Sequence, residues 1–196
     1  MYPRVIKMGG SLLSCVPELV RVIEGHPQAP LLVVPGGGLF ADRVRSIPTT
    51  EREAHWMAVA AMEQFGWYIA SHGLPTTDVL EIPPTPRVLL PYCKLRELDP
   101  LPHSWEVTSD TIAAWVAHTM GAELIILKSV DGLFREDVFM EHAKEPFPCI
   151  EVDPAFLPFI FSHHIRCTVM NGSIPGRLEA FLQGAHVRAT RVETTF

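Results

Sequence analysis

Short, mostly apolar runs recur along the chain at Arg4 to Met8, Leu31 to Val34, Arg87 to Leu90, Glu123 to Leu127 and Arg166 to Met170. Their length and composition predict strands, most of them buried on both faces, as strands of parallel sheets are. Between them the period changes. From Glu51 to Ala70, residues Ala54, Met57, Ala58, Ala61, Phe65 and Ile69 fall on one helical face. A second helix is predicted from about Thr108 to Met120, ended by Gly121, and a third from about Arg177 to Gln183, closed by Gly184. This alternation predicts an α/β protein with an open, mostly parallel sheet covered by helices. Proline clusters at Ile82 to Pro86 and Asp99 to Pro102 read as stiff connections, because strand or helix patterns resume at once. No internal repeat or low-complexity tail interrupts the pattern, so one domain is expected over residues 1–196.

Composition narrows the functional classes. Hydrophobic residues make up 47% and charged residues 19%, as in folded globular chains. A formal net charge of -6 argues against a nucleic-acid binder, which needs a basic face to displace counterions. Cys15, Cys93, Cys149 and Cys167 are dispersed and form no C-x-x-C pair, so reduced thiols in a cytoplasmic protein are expected. Arg4, Lys7 and Gly9-Gly10 interrupt any signal-peptide core, and no run is long enough to span a bilayer.

In open parallel sheets, ligands sit beyond the C-terminal ends of strands, so the strand-to-helix breaks carry the chemistry. The first is Lys7-Met8-Gly9-Gly10-Ser11. A lysine ending a buried strand needs a partner, and two glycines let the backbone approach an anion. An ordinary glycine turn beside a snorkelling lysine explains it equally well. The second, Pro35-Gly36-Gly37-Gly38, costs chain entropy that a close backbone approach to a ligand would offset. In the third, Trp105-Glu106-Val107-Thr108-Ser109-Asp110, Thr108 or Ser109 is expected to cap the helix, with Asp110 favoured by its dipole. The fourth is Lys128-Ser129-Val130-Asp131-Gly132, and the fifth is Asn171-Gly172-Ser173-Ile174-Pro175-Gly176-Arg177. Neither a Walker loop nor a dinucleotide fingerprint is present.

Taken in order, the segments K-M-G-G-S, V-P-G-G-G, T-S-D-T-I-A-A, K-S-V-D-G-L-F and N-G-S-I-P-G-R-L-E resemble the blocks of the amino acid kinase family. That family includes acetylglutamate, aspartate, uridylate and isopentenyl phosphate kinases. The resemblance runs from Val5 to about Gly184 and implies a three-layer αβα sandwich and ATP-dependent, magnesium-assisted phosphoryl transfer to a small acidic acceptor. It implies catalytic roles for Lys7, Asp110 and Arg177, the last standing where many relatives have a second lysine. Gly9, Gly10, Ser11, Lys128, Ser129, Asp131, Gly132 and Gly172 would meet the nucleotide. Gly36, Gly37, Gly38, His55, Trp105 and Thr108 would face the acceptor.

The short chain, Ala54-His55-Trp56-Met57 and Trp105 most resemble the subgroup that phosphorylates [5-(aminomethyl)furan-3-yl]methyl phosphate in methanofuran biosynthesis. Trp56, Trp105 and His55 would then line a pocket for a flat ring, although both tryptophans also fit a core. Isopentenyl phosphate, uridylate or an acylamino acid remain alternative acceptors. A non-catalytic nucleotide or oxyanion binder is the alternative of another class. No metal-ligand spacing links the scattered histidines, and His163-His164 reads as surface. Neither nucleic acid nor membrane is expected as a partner. The alanine- and methionine-rich face of Glu51 to Ala70 suits either a homodimer (or larger homo-oligomer) or simple core packing.

Overall fold

A computed structural model of the chain describes residues 2–194. In chain order the elements are β1 (Arg4–Met8), a 3-10 helix (Gly10–Cys15), α1 (Val16–Glu24), β2 (Leu31–Pro35), α2 (Gly38–Arg45), α3 (Glu51–Ala70), β3 (Thr76–Thr77), β4 (Arg87–Leu89), α4 (Tyr92–Leu98), α5 (Ser109–Met120), β5 (Glu123–Lys128), β6 (Leu133–Arg135), β7 (Val138–Met140), β8 (His142–Ala143), α6 (Phe156–Ser162), β9 (Cys167–Asn171), α7 (Arg177–Leu182) and β10 (Ala189–Val192). The main sheet has the strand order β3-β4-β2-β1-β5-β9-β10-β8. Every pairing in it is parallel except β9 with β10. β6 and β7 form a separate antiparallel hairpin.

Alternation along the central strands divides the core in two. Val5, Leu32, Val34, Leu124, Ile126 and Val169 face one layer, where α5 and α6 contribute Ile112, Val116, Phe156 and Ile160. Ile6, Met8, Leu31, Val33, Ile125 and Leu127 face the other, where α1 and α7 contribute Val16, Leu19, Ile23 and Leu178. Helices cover both faces, and the three-layer αβα arrangement expected from the sequence is present.

The same alternation fixes where charge emerges. Lys7 lies two residues after Val5, and Lys128 two after Ile126, so both ammonium groups emerge toward α5. Past the strand ends the ladder continues as single backbone bonds: the Gly9 amide donates to the Leu127 carbonyl, Gly36 to Met8, and Gly172 to Lys128. Three glycine turns are thereby tied to the C-terminal edge of the sheet.

Several expectations needed adjusting. Met57 is 36% exposed, whereas Val59, Met62 and Gly66, which the sequence reading left off the buried face of α3, are packed. The run at Arg166 to Met170 is shifted by one residue to Cys167–Asn171. Gly121 does end α5 in the left-handed region, at φ 58°. No helix among the described residues is long and apolar enough to cross a membrane.

Candidate active site

A cavity of about 430 Å³ opens at the C-terminal edge of β1, between the two glycine turns, the first turn of α5 and the helices α2 and α3. On its sheet side Lys7 and Asp110 are almost fully buried, at 3% exposure each. The Lys7 ammonium lies 2.7 Å from Asp110 Oδ1, an ion pair whose angle is not that of a directed hydrogen bond. Lys128 Nζ donates to Asp110 Oδ2 at 2.7 Å. One carboxylate therefore holds two ammonium groups, one excess positive charge for those three side chains.

Burial shapes both partners. It pulls the Lys7 pKa below that of a free lysine, with Asp110 opposing and Lys128 adding to the decrease. Burial alone would raise the Asp110 pKa, but Lys7 and Lys128 reverse that and hold the carboxyl below its ordinary range. An anion entering the cavity meets charge that little water screens.

The glycine turns form the floor. A Cβ on Gly10 would sit 2.0 Å from the Gly38 Cα, and one on Gly9 would sit 2.7 Å from the Leu127 carbonyl oxygen. Close backbone approach was expected, but toward a ligand; the nearest approach is between the two turns themselves. That contact stacks the start of the 3-10 helix on the start of α2. The first amides of each helix have no intrahelical acceptor, and Gly10, Ser11, Gly38 and Leu39 line the cavity.

The opposite wall comes from α2, α3 and the segment before α5. Asp42, Arg45 and Glu51 line it together with His55 and Trp105. The Arg45 guanidinium lies 4.6 Å from the Trp105 ring centroid. The His55 ring stacks on His103 at 4.6 Å and meets Trp56 edge-on at 4.9 Å. Burial, helped by His103, lowers the His55 pKa to about 4, so the ring is neutral near pH 7.

Of the residues predicted from the sequence, Lys7, Asp110, Gly9, Gly10, Ser11, Lys128, Gly37, Gly38, His55, Trp105 and Thr108 converge on this cavity. Others do not line it. Arg177 Nη1 is bound to Asp131 Oδ1 at 2.6 Å, and Arg188 Nε to Asp131 Oδ2 at 2.9 Å. Arg177 is thus engaged by its own carboxylate rather than by Asp110. Ser129 offers its carbonyl to Asn171 Nδ2 at 3.2 Å. Gly36, Gly132 and Gly172 are packing glycines: a Cβ would meet the Gly10 amide nitrogen at 2.9 Å, Thr190 Oγ1 at 2.4 Å and Leu12 Cδ1 at 2.9 Å, respectively. Trp56 also stays outside the cavity; it packs on the α5-side core with the Arg96 guanidinium 4.6 Å above it.

One prominent residue gave no sequence signal. Thr108 occupies the N-cap of α5 but makes no side-chain cap bond, contrary to expectation. Asp153, from the segment before α6, does that work. Its carboxylate accepts from the Thr108 amide at 3.0 Å, the Thr108 hydroxyl at 2.9 Å, the Thr111 amide at 3.0 Å and the Thr111 hydroxyl.

Comparison with known proteins bears on resemblance and fold. The family model described as "Amino acid kinase family" matches residues 88–157. The chain is 27% identical over 210 aligned positions to the [5-(aminomethyl)furan-3-yl]methyl phosphate kinase of Methanocaldococcus jannaschii, covering 96% of both chains. Among solved structures it superposes on UMP kinase from Ureaplasma parvum with a TM-score of 0.71, at 18% identity, over 98% of this chain and 99% of that one. For an isopentenyl phosphate kinase the TM-score is 0.64, at 14% identity, over 97% of this chain and 100% of the other. At these identities the structural matches speak for the fold alone. A central segment matches that family's model, one relative aligns along nearly the whole chain, and the fold is shared, so the chain is similar to amino acid kinases in segment, sequence and fold.

Proposed function

We propose that the protein is a kinase that moves the γ-phosphoryl group of ATP to a small acceptor bearing a phosphate. The acceptor we favour is [5-(aminomethyl)furan-3-yl]methyl phosphate. The observation that carries the reading is the Lys7–Asp110–Lys128 cluster, buried beside two helix starts at one end of a cavity of small-molecule size.

Phosphoryl transfer spreads charge over equatorial and bridging oxygens, so the protein's task is to position and neutralise. Lys7 and Lys128 supply fixed positive charge, and Asp110 orients both. The amides of Gly10, Ser11, Gly38 and Leu39 add donors that need no reorganisation during the reaction. A phosphate acceptor attacks as an anion, so no strong general base is required. Arg177 is held by Asp131 and takes no part in this step as the site stands.

Magnesium is implied by ATP chemistry. Among the described residues no three histidine, cysteine or carboxylate side chains gather to hold a metal. Asp110, whose two oxygens face Lys7 and Lys128, is the nearest carboxylate to the lysine end, so the ion would arrive bound to the triphosphate rather than be held as a resident metal. When bound, magnesium would offset charge on the phosphate oxygens.

The far wall supports the finer reading. Asp42 and Glu51 present two carboxylates against the one guanidinium of Arg45, which lies over the flat ring of Trp105, and neutral His55 offers one hydrogen-bond donor and one acceptor. An acceptor with phosphate at one end and an amine at the other matches this excess of acid, whereas an isoprenoid phosphate offers no group to pair with either carboxylate. The relative from Methanocaldococcus jannaschii acts on a compound of that kind by name. The exposed Met57 and Trp67 of α3 support a homo-oligomer.

The test is an acceptor panel with ATP and magnesium. The aminomethylfuran phosphate should be turned over best. Turnover of uridylate or isopentenyl phosphate without it would overturn the acceptor assignment, and ATP binding without transfer to any acceptor would favour a binding protein.

A further inference from the structure

We propose that Asp153 is a positioning residue for Asp110, so that the segment entering α6 sets the rate of the transfer assigned above. The inference rests on that kinase reading and adds a group that neither the motifs nor the comparisons indicate.

Asp110 is the second residue of α5, so its carboxylate can be no better placed than the helix's first turn. The amides of that turn need acceptors, normally supplied by the N-cap side chain. Here the Thr108 hydroxyl donates outward to Asp153 instead of accepting from the turn. Asp153 takes bonds from residues 108 and 111, which bracket Asp110 on both sides. A second tie fixes the same pieces: the Ala155 amide donates to the Glu106 carbonyl at 3.1 Å.

A cap serving stability alone would not need this arrangement. The threonine hydroxyl already present could accept from the third amide at little cost, whereas Asp153 is a carboxylate with 8% exposure, expensive to desolvate. What the carboxylate adds is rigidity from a distant segment and a second buried negative charge beside Asp110, near enough to act on Lys7 as well. Its bonds to residues 108 and 111 hold the turn that carries Asp110 in place. Burial and the nearby Asp110 push the Asp153 pKa up, in keeping with that crowding.

The experiment compares Thr111→Val, which keeps the shape and removes one donor, with Thr111→Ser, which keeps the hydroxyl. Asp153→Asn is the second arm, and Lys7→Ala the control. Steady-state rates are measured with ATP, magnesium and [5-(aminomethyl)furan-3-yl]methyl phosphate, or the acceptor the panel selects, alongside thermal melts. Misplacement of a reacting group by a fraction of an ångström costs about tenfold to a hundredfold in rate. Thr111→Val should lower kcat about tenfold with both KM values within about twofold, Thr111→Ser should restore most of the rate, and Asp153→Asn should lose more than Thr111→Val. Lower melting temperatures with kcat unchanged in the folded protein, or raised KM with kcat intact, would reduce Asp153 to a helix cap and overturn the proposal. If Asp153→Asn does not fold, the two Thr111 variants decide. Full activity in Lys7→Ala would sink the kinase reading itself, an outcome distinguishable from failure of the Asp153 proposal alone.

Discussion

Two carboxylates at the same sheet edge each hold two cations, yet they sit in different electrical worlds. Asp110 grips Lys7 and Lys128 with side-chain exposures of 4%, 4% and 17%. Asp131 grips Arg177 and Arg188 with exposures of 32%, 14% and 55%. In the first cluster water is excluded, desolvation is the largest influence on both Lys7 and Asp110, and losing one partner strands a buried charge. In the second, the hydrogen bond from Arg177 is the main reason the Asp131 pKa falls, and solvent screens what remains. Composition is the same, one acid and two bases. Burial decides which of the two can act on a ligand.

The sharpest way to break this comparison is to remove the acid or one base from the buried cluster. Asp110→Ala should abolish turnover and also cost about 3–5 kcal/mol of stability, because two ammonium groups lose their partner. Lys7→Ala should cut turnover by about a hundredfold or more while changing the melting temperature far less, since Lys128 still satisfies Asp110. Equal loss of stability in the two variants would contradict the assignment of Asp110 as the shared hub.

Acid titration sharpens the contrast next. The folded His55 pKa, about 4, lies below the 6.5 of a free histidine. The unfolded chain therefore binds a proton first, and this residue's contribution to stability is present above pH 6.5 and fades as the pH falls toward 4. His55→Gln should flatten stability between those values in denaturant titrations, and an unchanged pH profile would show that the ring already titrates normally.

The smallest effects belong to the exposed cluster. Arg177→Ala should lower turnover by less than about tenfold, and Arg188→Ala should change stability by no more than about 1 kcal/mol. If Arg177→Ala matched Lys7→Ala in turnover, the arginine would have to leave Asp131 during the reaction, and the contrast between the clusters would collapse.

How much the chain reveals in advance follows the same division. Lys7 is legible as a cation ending a buried strand, whereas the roles of Asp110 and Lys128 are marked only by the resemblance of their segments to family blocks. Lys128 stands beside Asp110 where the resemblance led us to expect Arg177. The pairing of Arg177 with Asp131 spans 46 positions and could not be read from either segment. Asp153, 45 positions from Thr108, was invisible for the same reason. Among the elements, α2 was missed because it opens on glycine and carries a mostly polar surface. The β6–β7 hairpin turns through Glu136 and Asp137 at φ 50° and 64°, where asparagine and glycine are the usual signal. α6 contains Pro158 in an apolar run that reads equally well as strand.

The abutment of Gly10 on Gly38 has a mechanical consequence. With main chain pressed on main chain, a side chain at Gly10 would force the two turns apart, so the floor leaves no room for variation in side chains. Variation in the shape and charge of the cavity is left to the side that carries Arg45, Glu51 and Trp105. Under the proposed function, acceptors would then be told apart by the side chains of that wall, and the glycine floor would be common to all of them.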